Sequence, residues 1–391
     1  MECRKCLYNK KHPFGLSLTG NICSGCITHE EKYTLDWSER KNLLEDILKK
    51  HRSKGSKYDC VVPVIGDAED FYTLSIVLEY GLSPLVVCVN DYFKNDIGWH
   101  NFHQLITYFD VDSITFNPEI NVYKDLVRTS LRKNDHILLP FLQLHTSYPV
   151  HIAYERKIPL VIWGQNQAIE QVGKFSHLDS CEMSRWNRKQ HDLFETEIKD
   201  LIGNGAQVSE RALNYYEYPS PQKLSQRGTR GLYLSNYMPW DPLKQNDSVK
   251  EYGFLPESSA YTFDIYERSG SSVYYQIHDL LKYKRVGYRK ITDHLSREIR
   301  HKRINRSNAL QLQKKFAKRK VNIEPFLKWL GATKSGIEWL MKHKFNDVHD
   351  LISFDKQNYK KINITKEIDL LTKGGQNPKE EFILFGKGID I

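Results

Sequence analysis

Short apolar runs alternate with segments of helical length from about residue 58 onward. The runs are rich in Val, Ile, Leu and Phe and cover residues 60–65, 84–89, 113–116, 137–142 and 159–163. The helix-length segments between them cover residues 71–80, 99–109, 123–132 and 148–156. Strands that are apolar on both faces and alternate with helices are typical of a doubly wound parallel sheet. The pattern therefore predicts an α/β fold whose ligands lie beyond the carboxyl ends of the strands, in the loops after Ile65, Val89, Leu142 and Trp163.

The pattern also divides the chain into four regions. Residues 1–35 are a cysteine-rich segment, and residues 36–215 are the α/β core. The core begins with a Lys-rich helical stretch, and the boundary between this stretch and the alternating apolar runs lies near 53–56. Residues 216–320 are predicted to be a distal part of the core on the substrate side, entered by an exposed polar loop at 216–230. Residues 321–391 are predicted to be a helical cap, with helices near 326–330 and 337–344.

Four of the seven cysteines form two CxxC pairs near the N-terminus, Cys3 with Cys6 and Cys23 with Cys26. Two residues between thiols let one turn present both sulfurs to the same ion, and two such turns complete a tetrahedral site. The pattern predicts a structural Zn²⁺ ion, because four sulfur ligands leave no position open for water or substrate. The alternatives are disulfides, which a reducing compartment disfavours, and a chance spacing of the cysteines.

The chain has 57 Lys and Arg against 48 Asp and Glu, a net charge of +9. This surplus suits an anionic partner such as a nucleotide, a sugar nucleotide or RNA, but a solvated exterior is the simpler interpretation. No apolar run reaches about 18 residues, and the opening MECRKCLYNKKH lacks the apolar region of a secretory signal. We therefore expect a cytoplasmic protein with no membrane partner, and we do not expect nucleic acid as its main partner.

Several longer motifs follow the cysteines in a definite order. They are YDCVVPV with a glycine-containing loop, SYPVHIAYERKIPLVIWGQN, YLSNYMPWD and DHLSREIR. This order resembles the bacterial N-acetyl sugar amidotransferases of surface-polysaccharide biosynthesis over nearly the whole chain. The resemblance implies a PP-loop ATP-pyrophosphatase fold and a reaction on a nucleotide-linked N-acetyl sugar. In that reaction ATP adenylates the acetamido oxygen, and ammonia then displaces AMP to leave an acetamidino group. Partner subunits, a glutaminase and a cyclase-like protein, supply the ammonia.

The first loop departs from the family's pattern. The family reads SGGKDS, in which small residues, a basic side chain and a final Ser form a nest for pyrophosphate. This chain reads IGDAED at 65–70, so that only Gly66 agrees. Asp67, Glu69 and Asp70 place like charge against a triphosphate, and each such contact at about 4 Å costs on the order of 1 to 4 kcal/mol. We interpret this as loss of ATP binding; the alternative is a Mg²⁺ ion held by two of the carboxylates.

The resemblance also points to a second turn, which reads WGEN in the family and WGQN at 163–166 here. It makes Trp163 and Gly164 candidate cofactor-binding residues and Asn166 a candidate catalytic residue, with an amide in place of the family's carboxylate. Glu170 is either the remaining acid of this loop or a helix-surface residue. In the stretch LLPFLQLH only His145 is able to act on a polar substrate; a core histidine is the alternative.

Two distal segments carry further candidates. In GLYLSNYMPWD, Trp240 is a candidate for stacking on a sugar or base and Asp241 is a candidate acceptor and catalytic group; a packed loop with a capping Asp is the alternative. A basic run between residues 282 and 300 has acids at helical spacing. In the family an equivalent run closes over the anionic ligand, whereas a salt-bridged solvated face is the alternative. Its candidate substrate-binding residues are Arg285, Asp293, Arg297 and Arg300.

Three functions remain open at this point. The first is an ATP-dependent amidotransferase, which the full-length resemblance favours. The second is a degenerate relative that keeps the fold and serves as a regulatory or scaffolding subunit, which the acidic loop favours. The third is an RNA-associated PP-loop protein, which only the positive charge favours.

Overall fold

The structure, a computed structural model, describes residues 1–52, 57–179, 181–202, 210–257 and 262–354. Its strands are β1 (Leu18–Thr19), β2 (Ile22–Cys23), β3 (Cys60–Val64), β4 (Pro84–Val89), β5 (Ser113–Phe116), β6 (Leu160–Trp163), β7 (Arg230–Tyr233), β8 (Val321–Asn322) and β9 (Ile352–Ser353). Its helices are α1 (Ser24–Glu31), α2 (Trp37–His51), α3 (Ala68–Glu79), α4 (Asp96–Phe109), α5 (Ile120–Asn134), α6 (Leu139–Arg156), α7 (Gln167–Glu170), α8 (Arg185–Gln190), α9 (Ile198–Ile202), α10 (Pro221–Arg227), α11 (Pro242–Ser248), α12 (Ser272–Val286), α13 (Lys290–Arg300), α14 (Arg306–Ala317), α15 (Glu324–Leu330) and α16 (Lys334–His343).

The central sheet has five strands in the order β5-β4-β3-β6-β7. Each neighbouring pair is parallel, with β3 in the middle and β6 beside it. All carboxyl ends therefore lie at one edge, which places the loops after β3 and β6 next to each other. The predicted α/β fold with a parallel sheet is confirmed.

The two faces of the sheet belong to two separate hydrophobic cores. Val61 of β3 packs into one core with α5, α6 and α15, whereas Val62 packs into the other with α2, α3 and α4. Successive residues of a strand point to opposite faces, so both sides of β3 are buried in helices. This explains why β3, β4 and β6 are apolar at every position, whereas the edge strand β5 is partly exposed and alternates apolar with polar residues.

One predicted strand, residues 137–142, is wrong. Helix α6 begins at Leu139, has Pro140 in its first turn, and has 12 of its 18 residues buried. A helix that is buried on nearly all sides has no polar stripe, and a short apolar run in it cannot be told from a buried strand by periodicity. The chemistry expected in a loop after Leu142 therefore lies on a helix instead.

Strand β7 and helix α10 are two of the elements that the sequence did not predict. The edge strand β7 lies inside the motif interpreted as an aromatic turn, and α10 lies inside the polar loop predicted at 216–230. Both are short, and β7 exists through its pairing with β6, which the local sequence does not encode. The predicted helical stretch after residue 36 is confirmed as α2, and those of the C-terminal cap as α15 and α16. The boundary near 53–56 and the chain after residue 354 lie outside the described residues.

The cysteine-rich segment packs against the rest of the chain. The amide of Leu7 donates to Ser296 Oγ at 3.3 Å, and Ser24 Oγ donates to the carbonyl of Val172 at 2.6 Å. Arg306 Nε donates to the carbonyl of Cys6 at 3.2 Å. Residues 1–35 are thus joined to α13, α14 and the loop after α7. Across the described ranges, no helix has both the length and the apolar character needed to cross a bilayer.

The buried side chain of Arg188 on α8 holds this helix against α6. Its buried guanidinium donates to Thr146 Oγ1 at 2.7 Å, to the carbonyl of Gln143 at 3.0 Å and to that of Tyr216 at 2.9 Å. We expect Arg188→Met to lower the free energy of unfolding by about 3 kcal/mol, because it leaves buried acceptors without donors. Chemical denaturation measures this. The control is Arg185→Met on the same helix, whose exposed ion pair with Glu197 contributes about 0 to 1 kcal/mol. Equal losses in both variants would contradict the prediction.

Candidate functional site

A cavity of about 240 Å³ lies at the carboxyl edge of the sheet. The loop after β3 and the loop after β6 form one wall, as the sequence predicts. Helix α13 with Glu267 and Arg268 forms another wall, and α6 and the end of α8 form a third. The cavity therefore lies where ligands of parallel α/β sheets bind.

Most of the candidate residues from the sequence meet in this cavity. It is lined by Asp67, Glu69, Asp70, His145, Trp163, Gly164, Asn166, Glu170, Asp293, Arg297 and Arg300. Arg285 lines a second cavity of about 140 Å³, which shares several wall residues with the first. Gly66 belongs to the backbone of the first loop.

Trp240 and Asp241 do not line either cavity. Trp240 is 1% exposed and packs edge-to-face on Tyr72, so neither face of its indole is open to a ligand. Asp241 forms an ion pair with Arg303 at 2.7 Å. The side chains of these two residues therefore lie outside the cavity, although Lys32 joins the carbonyl of Trp240 to Glu170.

The carboxylate of Asp70 occupies the first loop. Its Oδ2 accepts hydrogen bonds from the backbone amides of Ile65 at 2.7 Å, Gly66 at 2.9 Å and Asp67 at 2.9 Å. The loop can make this turn because Gly66 has a φ of +89°, which is easily reached only by glycine. The three amides converge on one oxygen.

The other two acids of the loop bind to other segments. Asp67 accepts from the amide of Arg268 at 3.0 Å, and Glu69 Oε1 accepts from the amide of Gln165 at 2.7 Å. Burial raises the pKa of Asp67 to about 8 and the pKa of Glu69 to about 7. The first loop is thereby tied to both neighbouring segments of the edge.

This arrangement does not fit ATP phosphates in the first loop. The backbone donors that would hold a phosphate are used by Asp70, and Asp67 and Glu69 lie beside them. The chain's residues therefore give no basis for a step through ATP at this loop.

The loop after β6 lies close against Glu69. A Cβ on Gly164 would come within 2.5 Å of Glu69 Oε1 and 2.6 Å of Thr73 Oγ1, so only glycine fits there without movement. The side chain of Asn166 is buried, and its Nδ2 has no hydrogen-bond partner among the described residues. His145 stacks on Phe141 with ring centres 5.2 Å apart, and burial lowers its pKa to about 3, so its ring is neutral.

The opposite wall carries alternating charges. Lys290 Nζ lies 2.5 Å from Glu267, His294 Nε2 also lies 2.5 Å from Glu267, and Arg297 pairs with Asp264 at 2.8 Å. Burial alone would raise the pKa of Glu267, but the charges of Lys290 and His294 outweigh it and hold that pKa well below its usual range. Asp264, Glu267 and His294 lie close enough to ligate a metal ion. Because Lys290 and Arg297 already neutralise the two carboxylates, the wall does not favour a cation.

Several cavity residues were not predicted. They are Tyr8, Asn187, His191, Asp192, Glu267, Arg268 and Lys290. None lies in a motif carried by the resemblance or directly after a predicted strand. Lys290 could have been predicted most easily, because it lies within the basic run between residues 282 and 300.

The four cysteines of the N-terminal segment can bind one metal ion. Their sulfurs lie within 4.8 Å of one another, and all four residues are buried. Arg300 links this cluster to the cavity: Nη2 lies 3.7 Å from Cys23 Sγ, and Nη1 donates to the carbonyl of Gln171 at 2.7 Å. Tyr8 lines the cavity, and Phe14 stacks on His191 with ring centres 4.1 Å apart. The segment is therefore part of the cavity wall.

Comparison with known proteins gives three matches. Residues 257–368 match the family described as LPS biosynthesis protein WbpG-like, C-terminal domain. An uncharacterized protein of Methanocaldococcus jannaschii is 25% identical over 137 residues, which is 34% of this chain and 48% of that protein. The chain thus matches about half the length of this relative. The structure of NMN synthetase from Francisella tularensis aligns with a TM-score of 0.29 and 11% identity, over 57% of this chain and 98% of that one.

We expect the buried carboxyl group of Asp67 to lower the free energy of unfolding as the pH rises. Because its pKa is about 8 in the folded protein and about 3.9 in an unfolded chain, the folded state keeps a proton that the unfolded state has lost. Raising the pH from 7 to 8 therefore lowers the free energy of unfolding, by about 1 kcal/mol for this group. We expect Asp67→Asn to remove that loss, as measured by urea unfolding at both pH values. Asp125→Asn, at an exposed position on α5, is the control. Identical pH profiles for Asp67→Asn and the unaltered protein would show that Asp67 is ionised in the fold.

Proposed function

We propose that the chain binds a nucleotide-linked N-acetyl sugar in LPS biosynthesis, because residues 257–368 match the C-terminal domain of WbpG-like LPS biosynthesis proteins. This agrees with the family predicted from the motifs. One observation carries the proposal: the WbpG-like segment supplies a complete wall of the cavity at the sheet edge. That wall consists of Glu267, Arg268, Lys290, Asp293, His294, Arg297 and Arg300.

The basic residues of this wall suit the diphosphate of a sugar nucleotide. Arg268 lies with its guanidinium 4.7 Å from the ring centre of Tyr275, and its buried Nη1 has no hydrogen-bond partner among the described residues. Lys290 is beside it in the same cavity. Cationic side chains bind phosphates through charge-assisted hydrogen bonds, and Arg does so with a planar set of donors.

The remaining walls suit a neutral, hydroxylated group. Burial lowers the pKa of His191 to about 3, so this histidine is neutral like His145. Neither ring nitrogen of His191, nor Asn187 Oδ1, has a partner in the part of the chain that the structure describes. Buried polar atoms normally form hydrogen bonds, so these neutral donors and acceptors fit a sugar ring with an acetamido group.

The ATP-dependent conversion of that acetamido group to acetamidino is the second candidate function. The observation that favours it is that His145, Asn166 and Glu170 line the same cavity as the WbpG-like wall. The occupied first loop speaks against it and favours a regulatory or scaffolding relative. The glutaminase and cyclase-like partners stay predictions, as does the RNA-associated alternative.

For the N-terminal cluster we propose a structural zinc ion held by Cys3, Cys6, Cys23 and Cys26. Four buried sulfurs around one point match the ligand set that zinc prefers in structural sites, and such sites supply folding free energy directly. In this chain the ion would hold the segment that carries Tyr8 and Phe14.

Calorimetry with UDP-N-acetylglucosamine tests the proposed ligand class. We expect binding that weakens about tenfold in Lys290→Met, because a charge-assisted hydrogen bond to phosphate is lost. Lys314→Met, an exposed position on α14, is the control and should bind like the unaltered protein. UDP alone should bind more weakly than the sugar nucleotide. Absence of binding, or equal loss in the two variants, would contradict the proposal.

Removal of the metal tests the role of the N-terminal segment. We expect purified protein to contain about one zinc ion per chain and Cys23→Ser to lower both zinc content and sugar-nucleotide affinity, because Tyr8 and Phe14 lose their support. Metal analysis and calorimetry measure the two effects. Cys181→Ser is the control, since this cysteine lies outside the cluster. Reduced protein without zinc that still binds ligand would exclude this role.

A further inference from the structure

We propose that Asp70 is a permanent internal substitute for phosphate in the first loop, so that this loop binds no nucleotide phosphate. Its carboxylate is the anion on which the amides of Ile65, Gly66 and Asp67 converge, at 2.7 to 2.9 Å. Successive backbone amides of this kind form anion-binding nests at the amino ends of helices, where the helix dipole adds to the attraction. The proposal is independent of which ligand the cavity takes.

Ordinary helix capping does not account for this geometry. Asp67 and Asp70 form a capping box at the start of α3, in which the side chain at the third helical position accepts from the amide of the capping residue. That explains only the bond from the amide of Asp67. The bonds from Ile65 and Gly66 come from residues before the cap, where the resemblance expects the pyrophosphate nest.

The position of Asp70 strengthens the inference. In the motif SGGKDS the final residue is a Ser whose hydroxyl is a donor to phosphate, and in this chain the matching residue is Asp70. A carboxylate at this position is long enough to return to the amides of its own loop. It thus supplies from within the chain the negative charge that the nest binds.

The hydrogen bonds of the three acids disfavour a magnesium ion in the first loop. Oδ2 of Asp70 accepts from three amides, both oxygens of Asp67 lie 3.0 Å from the amide of Arg268, and Glu69 Oε1 accepts from Gln165. A cation at Asp70 Oδ2, Asp67 or Glu69 Oε1 would lie beside amide protons, which carry the same sign of partial charge. A triphosphate would meet the like charge of the Asp70 carboxylate at about 4 Å, at a cost on the order of 1 to 4 kcal/mol for that contact.

The test is to remove the internal anion and offer an external one. Inorganic pyrophosphate without magnesium is titrated into the unaltered protein and into Asp70→Ser, which restores the hydroxyl of the motif. In the unaltered protein we expect pyrophosphate to leave the exchange of the amide protons of residues 65–67 unchanged, and in Asp70→Ser we expect it to slow that exchange and to bind at least about tenfold more tightly. Glu79→Gln, an exposed acid at the other end of α3, controls for a general loss of negative charge and should show no gain. Tight pyrophosphate or ATP binding by the unaltered protein that Asp70→Ser abolishes would overturn the proposal, as would a folded Asp70→Ser without any gain.

Two further measurements cover the case in which Asp70→Ser does not fold. Asp70→Asn keeps the shape and one acceptor oxygen but removes the charge, and it should show a smaller gain in the same titration. In the unaltered protein, the amide protons of residues 65–67 should exchange slowly without any ligand and should not slow further with millimolar ATP. Fast exchange that ATP suppresses would show that the nest is open, and would overturn the proposal whatever the variants do. Failure of sugar-nucleotide binding would leave these outcomes unchanged.

Discussion

Hydrogen bonds between buried carboxylates and backbone amides organise the carboxyl edge of the sheet. Asp70 fixes the loop after β3, Asp67 joins that loop to Arg268, and Glu69 joins it to Gln165 in the loop after β6. A buried carboxylate is costly unless its oxygens are hydrogen-bonded, so each of these acids stabilises the position of the amides that it contacts. The relative position of these three segments at the sheet edge therefore depends on side chains of the protein itself.

The N-terminal cysteine cluster serves the same cavity from the other side. The core around the four cysteines includes Val172, Val286 and Tyr288, which come from distant parts of the chain. Lys32, after α1, forms a buried ion pair with Glu170 beside the cavity. A segment of this size has too little apolar surface to fold alone, so its contacts with the main body and the proposed metal ion would have to stabilise it together. Its function in the structure is to hold Tyr8 and Phe14 against the cavity.

Charge in the cavity is arranged in pairs, and this limits what the net charge of the chain can indicate. Lys282 pairs with Asp293, Lys290 with Glu267, and Arg297 with Asp264. Only a few cationic atoms, such as Nη1 of Arg268, lack a partner within the described ranges. A ligand with a diphosphate and a neutral sugar matches this balance better than a long polyanion does, because each phosphate of a polyanion needs its own cation.

Much of the fold follows from local sequence. Four of the five predicted strands are present, and three of them, β3, β4 and β6, are buried on both faces and therefore apolar at every position. Helices α2 to α5 begin and end within a few residues of the expected positions. The cysteine spacing likewise predicts a metal site directly, since one turn brings both sulfurs of a CxxC pair together. The location of the two loops at one sheet edge follows from the parallel connections alone.

Only the tertiary structure decided the rest. The stretch before His145 is a helix that is buried on nearly all sides. Its sequence therefore lacks the periodic pattern of polar residues that would have predicted a helix. Arg268, Lys290 and His191 come to the cavity from segments far apart in the chain, and no local pattern records such a meeting. The acidic loop shows the difference most clearly. Its sequence determined that three acidic residues lie where phosphate is expected. Whether they repel a ligand, hold a metal ion or bind their own backbone depends on the direction of the amides of residues 65–67. That direction is set by the packed sheet and helix on either side.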